Sequence, residues 1–120
     1  DLDDLKNVVE LDAVPASADL GTQFPTCFHQ HGQAVVLDQG TCGSRWAFCA
    51  ASSMMTSLCM INANEHTLDP SSATRFEVAV QHIISYNPEG MGCEGGHGLV
   101  AKKSFEKHSV ARNRDMPYWC

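Results

Sequence analysis

Six cysteines in 120 residues, at positions 27, 42, 49, 59, 93 and 120, constrain this chain more than any other feature. They are dispersed instead of sitting in the paired C-x-x-C knuckles that hold structural zinc, which argues against a metal-built domain. The dispersed pattern suits disulfides made in an oxidising compartment and so predicts passage through the secretory route. With 43% hydrophobic and 18% charged residues, the composition is that of a folding domain rather than a disordered tail, and the length predicts one core.

Charge narrows the choice of partners. Eight Lys and Arg stand against fourteen Asp and Glu, a formal charge of -6. Asp1, Asp3, Asp4, Glu10 and Asp12 crowd the amino-terminal end. A phosphate backbone is held chiefly by Lys and Arg, so this balance argues against nucleic acid as a partner. It predicts instead a solubilising acidic surface. No apolar stretch approaches the roughly 18 residues that a bilayer span requires, so no membrane span is expected. A charged leader followed by an apolar run is also missing, and a secreted form is expected to have lost one already.

Along the chain, residues 1–13 read as an acidic arm: Leu2, Leu5, Val8 and Val9 have some helical spacing, which Pro15 interrupts. From Val14 to Gly43 the residues favour loops, with a short extended run at Ala34–Leu37. Ser44 then stands as an N-cap or first-turn residue before a run free of Gly and Pro, from Arg45 to Asn64. That run is the strongest helix signal, with Ala47, Ala51, Met54, Met55, Leu58 and Ile61 forming a buried stripe. Ser52, Ser53, Thr56 and Ser57 face elsewhere, which predicts a helix packed on more than one side. A second helix is predicted from Asp69 as N-cap and Pro70 in the first turn, with Ala73, Phe76, Val80, Ile83 and Ile84 on one face and an end near Tyr86. After a turn cluster at Met91–Gly96, a shorter third helix is predicted at Leu99–Lys107, with Leu99, Val100 and Phe105 apolar.

A catalytic cysteine acts as thiolate, and its pKa is lowered by an imidazolium or by the positive end of a helix. The loop feeding the long helix is therefore the place to look. It reads Asp38-Gln39-Gly40-Thr41-Cys42-Gly43-Ser44-Arg45-Trp46-Ala47-Phe48. This resembles the active-site stretch of papain-like cysteine proteases, Q-G-x-C-G-S-C-W-A-F, with one departure. The departure falls on the nucleophile, where Arg45 stands. Val14-Pro15-Ala16-Ser17 with Phe24-Pro25-Thr26-Cys27 is similar to the mature amino-terminus of the cathepsin B-like branch, and Leu58-Cys59-Met60-Ile61 to its long helix. Gly92-Cys93-Glu94-Gly95-Gly96 resembles the family's G-C-x-G-G loop, and Pro117-Tyr118 a later Pro-Tyr landmark.

The resemblance implies an α+β papain-like fold, of which residues 14–120 would form mainly the helical left subdomain, with disulfides; the β subdomain is expected to be absent from this chain. It gives Gln39 an oxyanion-hole role. It makes Gly95 and Gly96 a strip that binds an extended substrate backbone, where the missing side chains permit close approach. Trp46 is expected to pack beneath the site. Cys42 is expected to pair with Cys93, and Cys27 with Cys59, the latter a mark of the cathepsin B branch. Cys120 has no counterpart for its usual partner, since Ile83, Ile84, Ser85 and Tyr86 stand there. Cys49 is expected to be a buried free thiol on the same side of the helix as Arg45, the alternative being a replacement nucleophile about 6 Å along the axis.

Arginine offers donors only and stays protonated, so it has no electron pair with which to attack a carbonyl. Two readings of Arg45 stand side by side: it fills the old cleft and pairs with a carboxylate there, or it is a drifted residue without a role. The family takes its general-base His and orienting Asn from the β subdomain. None of His29, His31, His66, His82, His97 and His108 stands in a matching context; His29 and His31 read as surface residues, with weak metal binding the alternative. Nothing here calls for a cofactor or a metal.

Three functions follow. The first is a non-catalytic homologue acting as a binding or structural component, with a protein partner or a second chain carrying the β subdomain. The second is one chain of a cathepsin B-like cysteine peptidase acting on peptide substrates. The third is a small disulfide-rich domain unrelated to proteases. The resemblance and the cysteines together imply a lysosomal, vesicular or extracellular destination.

Overall fold

The computed structural model describes residues 14–28, 37–69, 72, 75–87, 89–107 and 109–119. The arm at 1–13, most of the extended run at 34–37, His29, His31, Pro70, Ala73, His108 and Cys120 lie outside the described residues. Among those described, the helices in chain order are α1 (Leu20–Gln23), α2 (Arg45–Ile61), α3 (Val80–Ser85) and α4 (Gly98–Lys107), with a 3-10 turn at Gly92–Glu94. The β component among them is one isolated antiparallel bridge, Val78 with Arg112.

The run without Gly or Pro becomes α2, the central element. Ala47 and Ala51 are fully buried on it, and their small side chains let α3 and α4 pack closely against it. Trp46, Val78, Val80, Ile83, Ile84, Val100 and Ala101 complete this main core. Further along α2, Cys59 joins Cys27 and Leu68 in a second, smaller cluster. The helix thus packs on two fronts, as its weak amphipathicity predicts. The predicted stripe stops short of its end, however, because Ile61 is 82% exposed.

Among the described residues two disulfides tie distant stretches of chain together: Cys27 to Cys59, and Cys42 to Cys93. Both are the pairings the resemblance implies. The first pins the amino-terminal loop to the far end of α2. The second pins the loop before α2 to the 3-10 turn.

Several local expectations are corrected. Ser44 occupies the N-cap position of α2 but makes no side-chain cap; its buried hydroxyl lies 3.1 Å from the Tyr118 hydroxyl instead. The second helix does not begin at Asp69. Its helical turns start at Val80, behind an N-cap at Ala79. Phe76 and Val78 are drawn out of helix by pairing far along the chain: the Phe76 amide donates to Thr67, the Ala79 amide to Ala111, and the Asn113 amide to Glu77. The third helix forms nearly as expected at Gly98–Lys107. Leu99 on it is 66% exposed, and the buried positions are Val100, Ala101 and Ser104.

The short α1 depends on Asp19, whose carboxylate accepts the Gly21 amide at 2.9 Å and the Thr22 hydroxyl at 3.0 Å. The Thr22 hydroxyl first, and the Gly21 amide second, hold that carboxyl below the ordinary aspartate range. After α3, the buried Asn87 amide donates to the Val100 carbonyl at 3.1 Å. That bond fixes α4 against the turn leading into the 3-10 segment.

Candidate active-site cleft

The head of α2 forms one wall of a small cleft of about 240 Å³, lined by Gln39, Gly43, Arg45, Trp46, Glu94, Gly95 and Gly96. The four non-cysteine residues singled out from the sequence, Gln39, Arg45, Gly95 and Gly96, are thus brought together. Two loops far apart in the chain make this happen, and the Cys42–Cys93 bridge clamps them. Beside it the Gly43 amide donates to the Cys93 carbonyl at 2.9 Å. A Cβ at Gly43 would fall within contact distance of that same oxygen, so only glycine allows the two loops so close.

Trp46 lies beneath the cleft as expected, 6% exposed. Its indole N–H donates to the Gly92 carbonyl at 3.2 Å. The 90–96 loop wraps the ring: a Cβ at Gly96 would stand 2.6 Å from two indole carbons, and one at Gly90 2.9 Å from another. Glycine at 96 is therefore required by the tryptophan, whatever ligand the cleft takes. Gly95 has a different reason. Nothing lies within 4 Å of where its Cβ would be, but its φ of 137° is a conformation that L side chains rarely adopt.

Gln39 is held from two directions. Its side-chain amide donates to the Cys42 carbonyl at 2.9 Å, and its backbone carbonyl accepts the Tyr118 hydroxyl at 2.6 Å. Since the Tyr118 proton goes to Gln39, the Ser44 hydroxyl donates to the Tyr118 oxygen. Tyr118 also packs edge-on against Phe48, ring centroids 4.8 Å apart. The Pro-Tyr landmark thereby locks the Gln39 loop onto the first turn of α2. Nothing in the residues around Tyr118 signals this task. A tyrosine close to a buried serine cannot be found from local spacing when 74 residues separate them. Tyr118→Phe should keep the ring packing and lose both hydroxyl bonds, lowering stability by about 1–2 kcal/mol in urea unfolding. Hydrogen exchange should accelerate at residues 39–43 first.

Arg45 is the first residue of α2, with no acidic residue in that turn. It is exposed, and its side chain takes part in no hydrogen bond or ion pair among the described residues. Glu94, the variable position of the Gly92–Gly96 stretch, lines the same cleft. Cys49 departs from expectation. It is free but exposed, and it lines a separate groove with Phe48, Met55, Leu68 and Val80. Four residues advance the helix by about 6 Å, and at that distance from the tip Cys49 is not among the residues that line the cleft with Gln39 and the glycine strip. His97 is exposed and does not line the cleft.

Residues 23–119 match the papain family cysteine protease. The chain belongs to this family. Among curated papain-family relatives, Cathepsin B-like cysteine proteinase 4 of Caenorhabditis elegans is 30% identical over 108 residues, covering 89% of this chain and 29% of its own. Cathepsin B-like cysteine proteinase 5 of the same organism is 33% identical over 100 residues, covering 82% and 27%. In structure, proCathepsin B S9 from Trypanosoma congolense superposes with a TM-score of 0.72 at 21% identity, over 94% of this chain and 37% of that one. The papain-like fold is thus shared. The chain spans under a third of the length of these curated relatives.

Proposed function

We propose that this chain is a non-catalytic papain-family homologue that serves as a binding or structural component of an assembly. The observation that carries this reading is Arg45 at the head of α2, in one cleft with Gln39, Gly95 and Gly96. The family motif has its nucleophile at that place. A guanidinium has no lone pair to give to a carbonyl. The free thiol among the described residues, Cys49, lines a different depression, so it does not replace the missing nucleophile.

In this reading residues 14–120 are the left subdomain of a cathepsin B-like relative and residues 1–13 an acidic arm. A protein partner, or a second chain carrying the β subdomain, covers what is left open. A groove of about 490 Å³ along α2, with Phe48, Met55, Leu68 and Val80 in its wall and the Arg75–Glu77 ion pair at 2.7 Å beside them, supports the need for such a cover. The two disulfides favour an oxidising route, toward a lysosomal, vesicular or extracellular destination. Among the described residues no helix is long and apolar enough to cross a membrane.

A second reading, one chain of an active cysteine peptidase, is favoured by the retained cleft: Gln39 and both glycines are in place. One experiment separates the two. The protein isolated from its native source, with whatever chains remain attached, is assayed on peptidyl substrates beside its Arg45→Cys variant. The non-catalytic reading expects no turnover by the native form, and turnover by that native form refutes it. Activity confined to Arg45→Cys places the loss of catalysis on this residue alone.

A further inference from the structure

We propose that the cleft at the head of α2 binds a carboxylate carried by an extended peptide, with the Arg45 guanidinium as its charged contact. The inference rests on the reading of Gly95 and Gly96 as a peptide-binding strip and gives that strip a chemical preference.

The donors are in place and unused. Arg45 is exposed in the cleft wall, and its side chain enters no hydrogen bond or ion pair among the described residues. Its planar fork matches a carboxylate in bidentate fashion. The setting favours an anion further: α2 is 17 residues long, and its first turn has neither an acidic residue nor a side-chain cap. A cation at that end opposes the helix dipole, and a carboxylate bound over it offsets both charges.

The size and the floor of the cleft select a peptide. Its volume of about 240 Å³ is below the roughly 300 Å³ where small-molecule pockets begin, which suits one side chain or a chain end rather than a whole ligand. Gly96 is exposed, and its backbone N–H and C=O are bonded to nothing among the described residues. An extended chain offers partners for both. Glu94 is the opposing term. It shares the cleft without pairing to Arg45, so an incoming carboxylate must reach the guanidinium while repelled by Glu94. Removing that repulsion should tighten binding.

The carboxylate can belong to an acidic side chain or to a free carboxyl terminus, and titration calorimetry of the purified full chain distinguishes them. Three short peptides share one neutral background: one with a central Glu and an amidated end, one with Gln and an amidated end, one with Gln and a free end. The Glu peptide or the free-ended peptide should bind about ten-fold more tightly than the neutral one, and whichever does so identifies the source. Arg45→Met should reduce that peptide to the affinity of the neutral one, and Glu94→Gln should strengthen it. Equal affinity for all three peptides overturns the inference and leaves the glycine strip as a peptide site. A preference that survives Arg45→Met overturns the role of Arg45. No binding of any peptide removes the strip reading and this inference with it.

Discussion

Replacing Cys42 and Cys93 together by serine should lower the stability of the protein by about 4 kcal/mol, and by the same act open the cleft. The first effect is a matter of chain entropy. The bridge closes a loop with a sequence separation of 51, and a cross-link of that span restricts the unfolded chain by about 4 kcal/mol. Cys27–Cys59 has a separation of 32, for which the same relation gives only about 0.4 kcal/mol less. Entropy alone therefore predicts nearly equal losses. The native contacts differ sharply. Beside Cys42–Cys93 runs the Gly43 amide to the Cys93 carbonyl, and Trp46 donates to the same turn at Gly92. Cys27–Cys59 sits instead in the smaller cluster with Leu68, Phe24, Phe28 and Met60, away from the residues that line the cleft. Urea unfolding followed by tryptophan fluorescence tests this, with a Trp119→Phe background so that Trp46 alone reports. Loss of Cys42–Cys93 should change the native-state emission of Trp46 as well as the midpoint; loss of Cys27–Cys59 should move the midpoint only. Equal changes in emission for both pairs would mean that the cleft does not depend on its own clamp.

How much of this was legible in the sequence depended on how local each cause is. The extent of α2 follows from a run that lacks Gly and Pro, and a helix is decided largely by such local preferences. The fold and both disulfide pairs came from motif resemblance, because six cysteines alone allow many pairings. The start of α3 was misplaced because Phe76 and Val80 fit a helical stripe, whereas hydrogen bonds from Phe76 to Thr67 and from Ala79 to Ala111 decide it. Such bonds join separate stretches of chain and leave no periodic trace. Cys49 was expected to be buried, since small sulfur side chains often are, but nothing among the described residues covers that side of α2. Gln39, Arg45, Gly95 and Gly96 were found by motif, and the structure places them in one cleft. The physical reason for Gly96 was nevertheless out of reach, because it lies in an indole ring 50 positions earlier in the sequence.

Trp46→Ala should cost about 3–5 kcal/mol, the range for truncating a buried aromatic side chain, and it supplies a test of why glycine stands at 96. The indole is 6% exposed and belongs to the main core between α2, α3 and α4. Removing it leaves a void under the cleft and the Gly92 carbonyl without its donor. In the native background Gly96→Ala should cost about 1–3 kcal/mol by overpacking, because the added methyl meets two indole carbons. With the ring gone the same methyl has room, so in the Trp46→Ala background Gly96→Ala should cost little. The double-mutant cycle should then show a coupling of at least about 1 kcal/mol. Gly95→Ala is the control. Its penalty comes from a φ of 137° with open space around it, a strain of the backbone that deleting Trp46 cannot relieve. A coupling at 96 without one at 95 would assign the two adjacent glycines to different causes, one to a neighbouring ring and one to the main chain. If Gly96→Ala costs the same with and without the indole, the collision is not what keeps glycine there, and a demand from the cleft itself becomes the stronger account.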